Sequence, residues 1–81
     1  MFIYIGNDHV VESDSIIAIL DYELIYSSKR LNEVLDRHRE IDRIYGMEEE
    51  AKSIIITVDS IYYSPFSTYT LKNRDELYEA Y

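Results

Sequence analysis

The segment Ser53-Ile54-Ile55-Ile56-Thr57-Val58 constrains this chain more than any other. It is a nearly unbroken β-branched run, and such side chains favour a pleated strand. Asp59-Ser60 supplies turn chemistry, and Ile61-Tyr62-Tyr63-Ser64 returns as a second strand, so this stretch is predicted to form a hairpin. Pro65 cannot donate to a sheet ladder, so it ends the second strand or lies at an edge.

The rest of the chain is placed around that sheet. Phe2-Ile3-Tyr4-Ile5 reads as a strand, Gly6-Asn7-Asp8 as a three-residue hairpin loop, and His9-Val10-Val11-Glu12 as the returning strand. Ser13-Asp14-Ser15 is a turn cluster. Ile16-Ile17-Ala18-Ile19-Leu20 is nearly continuous in apolar residues, which suggests a central strand covered on both faces. Ser27 or Ser28 can cap a helix in which Leu31, Val34, Leu35, His38 and Ile41 recur at helical spacing, ending near Tyr45-Gly46. Its opposite face is charged, with Glu33 four residues before Arg37 in the favourable order. Met47-Glu48-Glu49-Glu50-Ala51-Lys52 reads as an exposed acidic loop. Ser67 can cap a last helix holding Leu71, Leu77 and Tyr78, with an alternative start at the Asn73-x-x-Glu76 capping box. The order β-β-β-α-β-β-α predicts an α+β fold with a largely antiparallel sheet, in one domain over residues 1–81.

At 81 residues the chain is short, and many domains of this size lean on a disulfide, a metal or a partner subunit. The absence of Cys excludes disulfides and thiolate metal sites. His9 and His38 are too few to suggest a structural zinc site, so no cofactor is expected. Oligomerisation is the staple that remains. The start of the chain lacks the basic and apolar regions of a signal peptide, and no apolar run approaches the roughly 18 residues of a membrane span. A cytoplasmic protein with no membrane partner is expected.

The net charge is −8, and residues 1–26 carry five acids and no base. A protein gripping DNA phosphates usually shows a basic footprint, so autonomous nucleic-acid binding is disfavoured. Lys29, Arg30, Arg37, Arg39 and Arg43 are interleaved with Glu33, Asp36, Glu40 and Asp42, the pattern of a solvated helix face. Arg30, Arg37 and Lys52 are the candidates for any nucleic-acid contact. Tyr62, Tyr63 and Phe66 are candidates for subunit or partner contact, with one of the adjacent tyrosines directed into the core by strand alternation. Glu48-Glu49-Glu50 is a solvated loop or a lure for a basic partner. No nucleophile–base motif or phosphate-binding glycine loop occurs, and no carboxylate pair stands out, so an enzyme is not expected.

Ser53–Val58, Ile61-Tyr62-Tyr63-Ser64-Pro65, Ser67 and Thr70-Leu71-Lys72 together resemble the RemA/RemB family of bacterial extracellular matrix regulators, as do Tyr4-Ile5-Gly6-Asn7-Asp8 and Val10-Val11. The similarity spans essentially the whole chain. It implies a small, non-enzymatic, cytoplasmic α+β unit that assembles into rings and regulates biofilm matrix genes, with ring-borne basic residues facing DNA. Two departures stand out. The family places adjacent arginines after a Tyr-Gly pair, where Tyr45-Gly46 is here followed by Met47-Glu48-Glu49-Glu50. It places another arginine in the turn that here reads Ser13-Asp14-Ser15. The resemblance thus implies a homo-oligomer acting mainly on protein partners, itself and a second regulatory protein, with DNA binding through gathered bases as the alternative.

Overall fold

The computed structural model describes the backbone of residues 1–79 and the side chains of residues 1–73. β1 (Phe2–Gly6) and β2 (His9–Glu12) pair antiparallel as a separate two-stranded sheet. Gly6 pairs with His9, so the loop is Asn7-Asp8 alone, two residues instead of the three expected. Both adopt positive φ, 53° and 63°, the geometry that matches the twist of a tight hairpin.

A second sheet has the order β3-β5-β6-β4, formed by β3 (Ile16–Asp21), β4 (Ile44–Tyr45), β5 (Ser53–Thr57) and β6 (Ile61–Ser64). The β3–β5 and β5–β6 pairings are antiparallel, and β4 runs parallel to β6. The fold is α+β with a mostly antiparallel sheet, as the patterning predicts.

Three details differ from the sequence reading. First, β3 lies at an edge of its sheet and β5 has a neighbour on either side. The register of β3 slips at Ile17, which is left exposed. Second, α1 (Lys29–Glu40) stops before Tyr45, because Asp42 turns the chain at φ 58°. The freed residues Ile44-Tyr45 form β4, and the order becomes β-β-β-α-β-β-β-α. Third, the exposed acidic segment contains a 3₁₀ turn at Glu48–Glu50, and Tyr22–Tyr26 forms another that the sequence reading did not assign, while Ser13–Ser15 is a turn as expected.

Alternation along β5 divides the core. Ile54 faces Leu31 and Leu35 of α1, together with Ile61 and Tyr63. Ile55 faces Ile3, Ile5 and Val11 of the hairpin and Leu71 of α2 (Thr68–Glu79). The large sheet is thus covered by α1 on one side and by the hairpin and α2 on the other. Each such fully buried Leu or Ile contributes roughly 1.5–3 kcal/mol relative to exposure. Ser28 caps α1, its Oγ accepting from the Leu31 N–H at 3.1 Å. Ser67 Oγ accepts from the Thr70 N–H at 3.1 Å, so the helix starts at the earlier of the two predicted caps. Leu77 and Tyr78, expected on that helix, have side chains outside the described residues.

Polar links join the layers. The buried Ser64 hydroxyl donates to the Ile5 carbonyl at 2.6 Å and accepts from the Phe66 N–H at 3.1 Å. Ser53 Oγ donates to the Phe66 carbonyl at 2.8 Å. Gly46, at φ 97°, passes so close to β6 that a Cβ would run into the Tyr63 carbonyl oxygen.

Candidate functional site

The three aromatic residues singled out in the sequence are divided by the pleat of β6. Tyr63 is 4% exposed and lies in the α1-side core. Its hydroxyl accepts from Arg39 Nη2 at 3.3 Å, and Arg39 Nη1 pairs with Asp36 at 2.9 Å. Tyr22 packs edge-on against Tyr63, with ring centres 6.0 Å apart. The Tyr22 hydroxyl in turn donates to Glu48 Oε2 at 2.7 Å. That carboxylate, followed by burial, pushes the Tyr22 hydroxyl well above the ordinary tyrosine range. Burial raises Tyr63 as well. The first glutamate of the acidic run is therefore anchored, while its neighbours Glu49 and Glu50 are exposed.

Tyr62 points to the other side of the sheet. It stacks on Tyr45 with centres 5.3 Å apart and meets His9 edge-on at 5.4 Å. Burial, then the neighbouring Tyr45, raises its hydroxyl. Phe66 is half-buried, edge-on to Tyr4 at 5.9 Å. Of the candidate contact residues, Tyr63 is taken up by the chain's own core, and Tyr62 and Phe66 are each partly covered by intramolecular rings.

The candidate bases divide differently. Arg30 and Arg37 are exposed on α1 and seven residues apart, about two helical turns, so they share a face. Glu33 lies between them, but neither arginine forms an ion pair with any described residue; the pair that does form on this helix is Asp36–Arg39. Lys52 belongs to a separate feature. It borders an open concavity of about 460 Å³ lined also by Asp21, Tyr22, Glu23, Tyr26, Ala51 and Ser67. The Asp21 carboxylate is engaged there, accepting from the Glu23 N–H at 2.9 Å.

The histidines do not converge. His38 Nδ1 donates to the Val34 carbonyl at 2.8 Å, one turn earlier in its helix. His9 sits between Tyr45 and Tyr62, with a buried Nδ1 that has no hydrogen-bond partner among the described residues. Among the described residues, no three metal-ligating side chains gather. No described helix is long and apolar enough to cross a membrane.

The sequence reading missed two surfaces. One is the concavity, which exists only because the 3₁₀ turn at 22–26 folds beside the start of β5. The other is the outer face of the β1–β2 hairpin, where Phe2 and Val10 are 62% and 55% exposed. The signal for the second was present: Phe2 and Tyr4 alternate with the buried Ile3 and Ile5, giving β1 apolar side chains on both faces.

The sequence model of the RemA-like family, described as extracellular matrix regulatory protein A-like, matches residues 2–74. The chain belongs to the RemA-like family. It is also 38% identical over 76 residues to extracellular matrix regulatory protein B of Bacillus subtilis (strain 168), covering 91% of this chain and 89% of that protein. The family is one of extracellular matrix regulatory proteins. Within this RemA-like chain, the two places where the resemblance leads one to expect arginines are both short 3₁₀ turns, Ser13–Ser15 and Glu48–Glu50. The second of them ties an acid to Tyr22.

Proposed function

We propose that this chain is a non-enzymatic regulator of extracellular matrix (biofilm) gene expression, working in the cytoplasm as a homo-oligomer, a ring being the closed form. It acts mainly through protein contacts. Membership of the RemA-like family supports the regulatory part. The observation that carries the oligomer is the apolar surface of the isolated chain: Phe2, Val10, Ile17, Tyr26 and Val58 are all more than half exposed. That is a great deal of uncovered apolar surface for a domain of this size. The charge of −8, with acids in both turns, supports protein and not phosphate as the main partner. Size exclusion with light scattering tests the assembly. A mass several times 9.7 kDa is expected, and a monomer at micromolar concentration overturns the reading.

A second reading is favoured by one observation. Arg30 and Arg37 share a helix face and form no ion pair with described residues, so an oligomer could gather such faces into a DNA-binding surface. A salt series of DNA-binding measurements separates the two. Binding that weakens steeply with salt supports DNA, and no binding at low salt removes it.

A further inference from the structure

We infer that the outer face of the β1–β2 hairpin of one copy seats on the Leu24–Arg30 surface of a second copy, so that subunits join head to tail. This rests on the oligomer proposed above and names the two surfaces that would make it.

The first surface has an apolar centre and an acidic border. Tyr4 and Val10 are a cross-strand pair, and Phe2 lies opposite Glu12. Their neighbours Ile3, Ile5 and Val11 point inward, so Phe2 and Val10 point away from the core. Asp8 in the hairpin loop and Asp14 in the following turn are exposed. Glu12 is neutralised locally by the Met1 ammonium at 2.6 Å. No Lys or Arg occurs before Lys29 to offset Asp8 and Asp14.

The second surface has an apolar centre and a basic border. Leu24 and Tyr26 are 40% and 79% exposed on the 3₁₀ turn, and Lys29 and Arg30 follow at the exposed start of α1. No acid lies between Leu24 and Asn32. The concavity beside Tyr26 carries Lys52 with Asp21 and Glu23, and Glu48 is bonded to Tyr22 there, so the basic border of this surface is Lys29 and Arg30.

The two surfaces match in kind and are opposite in charge. They also lie on opposite sides of the large sheet: the hairpin packs with Ile55, while Tyr22 and Ile25 of the turn pack with Ile54. They cannot meet within one subunit. Pairing either surface with itself would set acid against acid or base against base. Pairing each with the other does neither, and a contact between two different surfaces repeats from copy to copy until it closes or extends.

The test uses the full chain and two variants. Val10→Lys alters the hairpin face, and Tyr26→Asp with Arg30→Glu alters the other. All three positions are exposed, so circular dichroism should match the parent. Each variant alone is expected to run at the 9.7 kDa chain mass, and an equimolar mixture at twice that mass, because each supplies the surface the other lacks. The charge-reversal pair Asp14→Lys and Arg30→Glu repeats the test without touching an apolar side chain. An oligomeric parent whose variants remain oligomeric overturns this inference alone. So does a mixture that stays monomeric. A monomeric parent overturns the oligomer itself.

Discussion

Replacing Ser64 by alanine should separate the hairpin from the large sheet energetically. Ser64 is 0% exposed, and its hydroxyl bridges two backbone groups, donating to Ile5 and accepting from Phe66. Ile5 is skipped in the register between β1 and β2, and its carbonyl accepts from Ser64. Alanine keeps the fit but deletes both bonds. Each buried group left unsatisfied costs about 1–3 kcal/mol. The Phe66 amide is only part-buried, so a total of about 2–4 kcal/mol is expected from that range. Small domains have roughly 5 kcal/mol or a little more to lose, so the variant should be marginal. At about 4–8 °C per kcal/mol, melting should fall by roughly 8–32 °C. Urea denaturation followed by far-ultraviolet circular dichroism measures it, with protein concentration held constant because assembly contributes to apparent stability. Ser53→Ala loses one bond, from its hydroxyl to the Phe66 carbonyl, and should cost about half as much. A Ser64→Ala loss below about 0.5 kcal/mol, less than a single net hydrogen bond, would refute the reasoning. A Ser53→Ala loss exceeding that of Ser64→Ala would do the same.

Gly46→Ala meets both a positive φ of 97° and the Tyr63 carbonyl, and should destabilise by about 2 kcal/mol or more in the same assay. Leu35→Ala removes a side chain that is 1% exposed against Ile54 and Ile61, and should cost about 2–5 kcal/mol. Tyr22 is predicted to sensitise the fold to alkali. Its folded-state hydroxyl is raised above an unfolded value of about 10, so its contribution is complete below that pH and is lost as pH climbs toward the folded value. Melting temperatures taken between about pH 10 and 12 should therefore fall more steeply for the parent than for Tyr22→Phe, and equal slopes would count against the Glu48 bond as the cause.

What could be read from the sequence was what local pattern controls. The β-branched run at 53–57, the return at 61–64 and the Ser28 cap all appear where their chemistry places them. So does the division of Tyr62 and Tyr63 between two faces, which follows from strand period alone. The errors arose where distant residues decide. Ile16–Leu20 has the composition of a central strand, yet its place at the edge depends on β5 taking β6 as its other neighbour. Ile41 fits the helical period, but Asp42 ends the run and hands Ile44-Tyr45 to β6. The link from Glu48 through Tyr22 and Tyr63 to Arg39 joins four elements far apart in sequence, and no spacing rule announces it. The concavity beside Lys52 has no local signal for a related reason, since it depends on the 3₁₀ turn at 22–26 lying beside the start of β5, whereas the apolar outer face of the hairpin is legible in the alternation of Phe2 and Tyr4 with Ile3 and Ile5.

The central position of β5 bears on how the chain is made. Synthesis delivers β1, β2, β3 and α1 first, yet the two strands that join the sheet, β5 and β6, come later, at Ser53–Thr57 and Ile61–Ser64. Until then β3 has no neighbour in its sheet, and α1 has no completed surface on which to rest Leu31 and Leu35. Helices and hairpins this small are marginal by themselves in water. The Ile-rich segments made first therefore stay without their sheet partners until residues 53–64 have been made, and the large sheet can close only then. The acidic run of residues 1–26, free of Lys and Arg, gives that waiting segment a uniform charge that discourages it from associating with its own kind.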